Sequence, residues 1–183
     1  MIKKNLIFLV GFMGAGKSTI GPLLARQLQW SFIDLDQEIE RGEGRPINQI
    51  FSDRGEAYFR QIEAKALQNL RTKEPSVVAL GGGAFIQDAN RLLVHDLGYS
   101  VFLDCTLEVI LERCPKDETR PLLLLSGGVE ALYASRLPYY QQSDFRVDVS
   151  SQTPEQITEI ILAHLSAGGI DDAQGKNHPK HGT

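Results

Sequence analysis

Cysteine is scarce in this chain, and its scarcity excludes two classes of small protein. Cys105 and Cys114 are the only two cysteines among 183 residues. Two cysteines are too few for the disulfide framework of a small secreted domain or for a zinc site built on thiolates. Histidine is also rare, with four residues in all. The low cysteine content indicates a reducing compartment, and we expect a cytoplasmic protein.

A surplus of basic residues is also missing, as is any apolar run of membrane-spanning length. Lysine and arginine total 19 against 23 acidic residues, so the formal net charge is −4 at pH 7. This balance argues against a nucleic-acid partner. No apolar run approaches the ~20 residues that a membrane span needs, so we expect no membrane association. The apolar stretch after Lys3-Lys4 resembles a signal peptide, but the phosphate-binding motif described next needs those residues.

The most informative stretch runs from Gly11 to Thr19 and reads Gly-Phe-Met-Gly-Ala-Gly-Lys-Ser-Thr. It fits G-x-x-x-x-G-K-[ST], the phosphate-binding P-loop. Its glycines let the backbone approach a phosphate closely, and the freed amides form an anion nest with the next helix N-terminus. The apolar run 6–10 predicts a buried strand before the motif, and apolar spacing predicts a helix over 19–29 after it. This order favours a nucleoside triphosphate site over a chance glycine-rich turn.

The motif supplies the first candidate site residues. Lys17 is expected to contact the β- and γ-phosphates of ATP, and the hydroxyl of Ser18 is expected to bind Mg²⁺. The whole set of candidate ATP contacts in the loop is Gly14, Ala15, Gly16, Lys17, Ser18 and Thr19.

Strands alternate with helices along the rest of the chain. Short apolar runs predict further strands at 30–33, 76–80, 99–103 and 145–149. Helical patterns cover about 37–44, 47–51, 56–70, 88–95, 107–113, 129–137 and 154–166. The alternation predicts an α/β fold in which a parallel five-stranded sheet carries helices on both faces, with ligands at the carboxyl ends of its strands. We expect one domain over residues 1–167 and a disordered tail over 168–183.

Asp34 and Asp36 lie where the second predicted strand ends, at the same edge of the sheet as the P-loop. If the chain leaves strand geometry there, both carboxylates can face one site. One could hold Mg²⁺ through water and the other a substrate hydroxyl. The alternative is a helix N-cap followed by a solvated acid.

Two further patterns point to a small anionic substrate. Glu63 falls within the apolar stripe of its helix, and Arg60 lies three residues before it, so the acid could orient the arginine for an anionic group. A surface ion pair is the alternative. The three glycines at 81–83 follow a buried strand and would let a ligand lie against bare backbone, unless they form only a tight turn.

Two more arginines complete the candidates. Arg120 lies in the segment after Arg113 and could close over the triphosphate as part of a lid; on its own it would be an ordinary surface charge. Arg136 precedes Pro138, which we expect to end the helix, so that Arg136 lies in its last turn. There it could instead only oppose the helix dipole.

Together these patterns resemble the shikimate kinase family, a group of P-loop enzymes of the nucleoside monophosphate kinase-like superfamily. The resemblance covers about residues 6–165. It rests on six motifs: G-F-M-G-A-G-K-S-T, D-x-D at 34–36, G-E-x-x-F-R-x-x-E at 55–63, L-G-G-G-A at 80–84, R-P-L-L at 120–123 and R-x-P-x-Y at 136–140.

The resemblance implies a three-layer fold, with a substrate-binding part at about 34–62 and a mobile lid at about 113–126. It implies Mg²⁺- and ATP-dependent phosphorylation of the 3-hydroxyl of shikimate by a monomer, in chorismate and aromatic amino acid synthesis. The implied roles are as follows: Lys17, Asp36 and Arg120 in catalysis; Ser18 and Asp34 at Mg²⁺; Arg113, Arg120 and Gln152 at ATP; and Asp36, Arg60, Gly81, Gly82, Gly83 and Arg136 at shikimate.

Three other functions fit the sequence less well. A gluconate kinase is the nearest alternative enzyme, but Asp36, Arg60 and Arg136 suit a ring hydroxy acid with a carboxylate. A catalytically silent nucleotide-binding relative is disfavoured because Lys17, Asp36 and Arg120 are all present. A P-loop ATPase acting on nucleic acid is disfavoured by the acidic balance and the short chain.

Overall fold

The computed structural model describes residues 5–113 and 128–169. The strands in these ranges are β1 (Leu6–Val10), β2 (Ser31–Asp34), β3 (Ser76–Ala79), β4 (Gly98–Asp104) and β5 (Phe145–Asp148). The helices are α1 (Lys17–Leu28), α2 (Leu35–Glu43), α3 (Ile47–Gln68), α4 (Asp88–Leu97), α5 (Leu107–Arg113), α6 (Gly128–Tyr140) and α7 (Pro154–His164). Short 3-10 turns cover Asn69–Thr72 and Ala84–Ile86, and a π-helical turn, Leu165–Gly169, follows α7.

The strands form one five-stranded sheet in the order β2-β3-β1-β4-β5. All four strand pairings are parallel, and Leu6 at the start of β1 lies opposite Ser76 of β3 and Gly98 of β4. This architecture confirms the α/β fold with a parallel five-stranded sheet predicted from the alternation of strands and helices. The central position belongs to the strand that immediately precedes the P-loop.

Helices cover both faces of the sheet. Every residue of β1 is buried, and successive side chains of a strand point to opposite faces, so both faces must be covered. One group of helices consists of α1 and α7, which pack on each other, with α1 also on β2 and β3. The other includes α3 and α4, with α4 packed on β4. This arrangement explains why β1 reads as an unbroken apolar run.

The carboxyl edge of the sheet opens a crevice beside β1. The loop after β1 leads into α1, whereas the loop after the neighbouring β3 leads into α4, which belongs to the other group of helices. Loops that leave adjacent strands towards different faces leave a space between them, where ligands bind in folds of this class. The end of β2 at Asp34 lies along the same edge.

The long helix α3 consists of two helical pieces joined at a kink. Gly55 has φ 77° and ψ 173°, values that no α-helix adopts and that glycine tolerates best. The two pieces correspond to those predicted over 47–51 and 56–70. Although α3 is the longest helix, none of the helices in the described ranges is both long and apolar enough to cross a membrane.

Two boundary predictions need correction. Pro138 does not end its helix, because α6 continues through it to Tyr140. A proline near the end of a helix loses only its own N–H bond, and the residues after it can still close the last turn. The π-helical turn after α7 extends to Gly169, so residues 168 and 169, the first two of the predicted tail, belong to this turn. The rest of the tail lies outside the described residues.

A capping box starts α7. The side chain of Thr153 accepts a hydrogen bond from the N–H of Gln156 at 3.3 Å, and the N–H of Thr153 donates to the side chain of Gln156 at 3.0 Å. Pro154 occupies the first helical position, where its missing N–H costs nothing. The helix therefore starts at a defined residue.

We predict that Thr153→Ala lowers the free energy of unfolding by about 1 kcal/mol, because it leaves an N–H at the helix start without its acceptor. Urea unfolding followed by circular dichroism measures the change. Ser151→Ala, at an exposed position two residues earlier, is the matched control and should change stability by less than about 0.5 kcal/mol. Equal effects of the two substitutions would contradict a capping role for Thr153.

Candidate active site

The P-loop adopts a conformation that requires its glycines. Gly11, Gly14 and Gly16 have φ of 148°, 78° and 95°, in the region that side chains with a Cβ rarely adopt. Gly16 is the N-cap of α1, with no side-chain hydrogen bond to the helix start among the described residues and no acid in the first turn. The first amides of α1 are therefore available to an anion, and the helix dipole favours a phosphate there.

Lys17 lies over its own loop. Its Nζ donates to the carbonyl oxygens of Gly11 at 2.7 Å and Phe12 at 2.9 Å. These contacts hold the ammonium group at the mouth of the loop, where a phosphate oxygen would meet both the lysine and the amides of α1. Its position suits a charge that stabilises a transferring phosphoryl group.

Ser18 and Asp34 meet beside the loop. The Ser18 hydroxyl donates to Asp34 Oδ2 at 3.1 Å, while Asp34 Oδ1 accepts from the N–H of Asp36 at 3.1 Å. Asp34 is thus the N-cap of α2, as the alternative reading proposed, and its other oxygen still faces the P-loop. A hydroxyl and a carboxylate oxygen are hard donors of the kind Mg²⁺ takes beside phosphates and water, so this pair fits that ion.

Asp36 is a partly buried acid close to several charges. Burial raises the pKa of Asp36 above its usual value of 3.8, and the nearby carboxylates of Asp34 and Glu40 raise it further, while Lys17 and Arg60 act in the opposite direction. Asp36 is thus partly buried, and not the fully solvated acid of the alternative interpretation. A carboxylate with a raised pKa is a better proton acceptor than an exposed one.

Arg60 is held by two acids of its own helix. Its Nη1 donates to Glu63 Oε2 at 2.9 Å, and its Nη2 donates to Glu56 Oε1 at 3.1 Å. Glu63 is only 1% exposed, which confirms the predicted buried carboxylate and excludes a surface ion pair. Burial alone would lower the pKa of Arg60, but the two carboxylates outweigh it and raise that pKa. Arg60 therefore stays charged and fixed in orientation.

Arg136 is buried at the other side of the cleft and is 4% exposed. Its guanidinium lies over the ring of Phe12, with 5.7 Å between Cζ and the ring centroid. Its Nε is buried and has no hydrogen-bond partner among the described residues. A simple interaction with the helix dipole does not account for a buried arginine with an unused donor, whereas an anionic ligand would.

Tyr140 joins the end of α6 to the loop after β3. Its hydroxyl donates to the carbonyl oxygen of Gly82 at 2.5 Å. Burial raises the pKa of Tyr140 to about 12, so the hydroxyl keeps its proton and remains a donor. This bond keeps Gly82 in place beside Arg136.

The far end of the cleft has the character of a nucleobase site. Arg113 donates to the carbonyl oxygen of Val149 at 3.5 Å, and Gln152 has a buried Oε1 without a hydrogen-bond partner in the described ranges. Pro154 and Ile157 from the start of α7 add apolar surface there. Flat apolar surface with a few polar groups is the usual lining of a base-binding pocket.

One cleft of about 810 Å³ brings most of the predicted residues together. Its lining includes Gly14, Ala15, Gly16, Lys17, Ser18, Thr19, Asp34, Asp36, Arg60, Gly81, Gly82, Gly83, Arg113, Arg136 and Gln152. Arg120, the predicted lid arginine, lies outside the described residues, as does the predicted lid beyond Arg113.

The sequence analysis missed several lining residues. Glu40 adds a carboxylate near Asp36, and its Oε1 accepts from the N–H of Ile47 at 2.9 Å, which links α2 to α3. Phe51 and Phe59 supply an apolar wall, with their ring centroids 4.6 Å apart. A signal for Glu40 was available, because it lies four residues after Asp36 on the same helical face. No local pattern marked Phe51, which meets Phe59 only through the kink in α3.

Comparison with known proteins points to one family. A family model described as shikimate kinase matches residues 13–166. The shikimate kinase of Persephonella marina is 40% identical over 160 residues, which cover 87% of this chain and 98% of the relative. That of Aquifex aeolicus is 39% identical over 165 residues, covering 90% of this chain and 98% of the relative.

Solved structures give the same result. The shikimate kinase of Acinetobacter baumannii, solved in complex with shikimate, superposes with a TM-score of 0.84 at 34% identity and covers 91% of this chain and 95% of its own. A gluconokinase from Sinorhizobium meliloti superposes with a TM-score of 0.56 at 22% identity, covering 90% of this chain and 93% of its own. At that identity the gluconokinase shares the fold alone.

We predict that Asp36→Asn stabilises the ligand-free protein at neutral pH. Below pH 3.8 the carboxyl group is protonated in both the folded and the unfolded chain, so its ionisation costs nothing. As the pH rises, the unfolded chain ionises first, and stability is lost until the pH passes the raised folded pKa. Asparagine removes this loss while keeping the shape of the side chain.

Thermal unfolding of the two proteins between pH 3 and pH 8, a range of about five units around the usual carboxyl pKa, measures the effect. The gap in melting temperature should open above pH 3.8 and then stay constant. Gln61→Asn, at an exposed position in α3 and without a change of charge, is the control and should show no pH-dependent gap. If the gap for Asp36→Asn is absent or has the opposite sign at neutral pH, the raised pKa is wrong.

Proposed function

The chain belongs to the shikimate kinase family, and on that premise we propose that it transfers the γ-phosphoryl group of ATP to the 3-hydroxyl of shikimate. The product, shikimate 3-phosphate, leads to chorismate and the aromatic amino acids. The observation that carries the proposal is the convergence of Asp36, Arg60 and Arg136 on the cleft into which the P-loop opens.

The P-loop end of the cleft would hold ATP. The amides at the start of α1 and the ammonium group of Lys17 suit the β- and γ-phosphates. Gln152 offers a buried, unused carbonyl oxygen that could accept a hydrogen bond from the amino group of adenine, and Arg113 would flank the base. Arg120 as the lid arginine stays a prediction of the sequence.

Ser18 and Asp34 would hold Mg²⁺ between them and the phosphates, Ser18 directly and Asp34 through water. When bound, the ion would supply positive charge that neutralises the negative charge developing on the phosphates. Asp34 contributes a fixed geometry, because its second oxygen is tied to the start of α2.

The carboxylate of shikimate would lie between Arg60 and Arg136. Glu63 and Glu56 hold Arg60 in one orientation, and Arg136 contributes a buried donor that lacks a partner. Planar guanidinium groups bind carboxylates through paired hydrogen bonds, which fixes the substrate in rotation as well as in position. A ring held at its carboxylate end presents its hydroxyls in a fixed direction.

Asp36 would receive that ring at its hydroxyl edge. Its carboxylate is shielded from water and has a raised pKa, so it can orient the attacking hydroxyl and accept its proton. Lys17, close enough to affect the ionisation of Asp36, would stabilise charge on the transferring phosphoryl group. Positioning of both substrates supplies most of the catalysis in such reactions.

We further propose a cytoplasmic protein that acts as a monomer. The low cysteine content supports a reducing compartment, and a single chain supplies all the residues of the cleft described above. No feature of the described residues favours gluconate over a ring hydroxy acid with a carboxylate.

We predict that the purified protein releases ADP from ATP and Mg²⁺ when shikimate is present, and does not do so with gluconate or without an acceptor. A coupled assay of ADP measures this, and mass spectrometry identifies the phosphorylated product. The variant Lys17→Ala is the control for contaminating kinases. Turnover with gluconate, or ATP binding without turnover on either acceptor, would contradict the proposal.

We predict that Arg136→Lys raises the KM for shikimate roughly ten- to a hundredfold, because lysine keeps the charge but loses the paired donors of the guanidinium. Arg60→Ala should do the same, and the KM for ATP should change little in both. Steady-state kinetics with each substrate varied in turn measures the effect. Arg71→Ala, which alters an exposed arginine outside the cleft, is the control. An unchanged KM for shikimate in both variants would rule out the carboxylate clamp.

A further inference from the structure

The backbone conformation does not explain why the three residues at 81–83, after β3, are glycines. Gly83 has φ −97° and ψ −17°, an ordinary conformation for any residue. Gly81 and Gly82 likewise are not among the described glycines with positive φ, which do include Gly11, Gly14 and Gly16. The chain turns here, since the N–H of Ala84 donates to the carbonyl oxygen of Gly81, but the turn does not require glycine. The requirement must come from the surroundings.

Side chains of the candidate site occupy the space in front of two of these glycines. A Cβ on Gly81 would lie 2.5 Å from Asp36 Oδ1 and 3.2 Å from its Cγ. A Cβ on Gly83 would lie 2.5 Å from Arg60 Nη1 and 2.6 Å from its Nη2. A Cβ essentially never comes within 3.0 Å of a non-bonded heavy atom, so an alanine at either position must displace its neighbour.

Gly82 is less crowded. A Cβ there would lie 3.1 Å from Arg136 Nη1 and 3.5 Å from the Tyr140 hydroxyl. A shift of a few tenths of an ångström would relieve the contact with Arg136. The tight contacts are thus confined to the flanking glycines, and each of these faces a different functional side chain.

Hydrogen bonds hold the loop after β3 in place, so an alanine at position 81 or 83 would move the side chain of Asp36 or Arg60 and not the backbone. The N–H of Leu80 donates to the carbonyl oxygen of Leu9, and the Tyr140 hydroxyl donates to that of Gly82. Asn90 donates to the carbonyl oxygen of Ala84 at 3.1 Å, and Arg91 donates to that of Phe85, also at 3.1 Å. The backbone of the loop is therefore held on both sides and cannot shift to make room for a methyl group at position 81 or 83.

The atoms that would be displaced are the ends of flexible side chains. At Gly11, by contrast, a Cβ would lie 2.8 Å from the backbone oxygen of Leu103, and φ is 148°. A substitution at Gly11 therefore strains the fold, whereas the end atoms of Asp36 and Arg60 can move away from an alanine without any change in the backbone. The damage at 81 and 83 falls on the geometry of the site.

We propose that Gly81 and Gly83 are positioning residues for the phosphoryl transfer proposed above. Gly81 leaves room for the carboxylate of Asp36, and Gly83 leaves room for the guanidinium of Arg60. The inference rests on that proposed function. In both cases the missing Cβ lets the carboxylate or the guanidinium group pack directly against the backbone of the loop. A contact between these glycines and the substrate, expected from the sequence, stays a prediction beside this role.

The two glycines have different kinetic consequences. Gly81→Ala should mainly lower kcat, because it moves the group that orients the attacking hydroxyl. A displacement of about 1 Å at a reacting group can cost on the order of a hundredfold in rate. Gly83→Ala should mainly raise the KM for shikimate, roughly ten- to a hundredfold, because it moves half of the carboxylate clamp. The KM for ATP should change little in both.

The experiment compares Gly81→Ala, Gly83→Ala and a control, Gly42→Ala, by steady-state kinetics, with thermal unfolding of each. Gly42 lies in α2, and a Cβ there would meet no atom within 4 Å in the described part of the chain. The control should keep wild-type kinetics. All three variants should unfold within a few degrees of the wild type, so that lost activity reports the site.

Double variants separate positioning from direct ligand contact. Calorimetry of shikimate binding should show that Gly83→Ala costs little once Arg60→Ala has removed the displaced group. Likewise, the fall in kcat caused by Gly81→Ala should be small in an Asp36→Ala background, measured as residual turnover. Losses that add in full would overturn the proposal, because they would assign the glycines a contact of their own.

Two other results would also overturn it: wild-type kinetics in both alanine variants, or the same fall in kcat and rise in KM at both positions. Failure of the proposed function itself is recognised separately. In that case the wild-type protein would not turn over shikimate at all, whatever the variants do.

Discussion

Burial of β1 between two parallel neighbours is the constraint on which the rest of this molecule depends. Because β1 is paired on both sides and covered on both faces, the loop that follows it can leave the sheet only at the carboxyl edge. The loops after β1 and β3 leave that edge towards different helices, and the end of β2 lies beside them. The phosphate-binding loop, the acids of α2 and the glycines after β3 therefore share one crevice without any long connection. The sheet brings together groups that are far apart in sequence.

The charges in this crevice alternate in sign, and this alternation makes their burial tolerable. Glu63 and Asp36 are negative, Arg60 and Arg136 are positive, and each acid is influenced by Arg60. Burial raises the pKa of both acids, and Arg60 acts to lower each of them. Removing Arg60 would leave Glu63 desolvated without the opposite charge that now lies against it, which is costly in a buried network. An incoming dianion or carboxylate would meet a site that already has fixed donors.

Much of the fold and of the site could be predicted from the sequence, where a local pattern has a local cause. The P-loop was recognisable because its glycines adopt positive φ values. The pairing of Glu63 with Arg60 was recognisable because helical periodicity placed the acid on an apolar face. The role of Gly81 and Gly83 was not recognisable, because the atoms that exclude a Cβ belong to α2 and α3. The continuation of α6 through Pro138 was missed for a similar reason, since tertiary packing of Tyr140 outweighs the local signal.

Asp34 uses its two carboxylate oxygens for separate tasks, one at the start of α2 and the other beside Ser18. A substitution at position 34 must therefore satisfy two requirements. Asparagine would still cap the helix but would bring no charge to the loop, while glutamate would keep the charge but caps helices poorly. The start of a helix and the charge beside a neighbouring loop both depend on this one side chain. Only aspartate satisfies both.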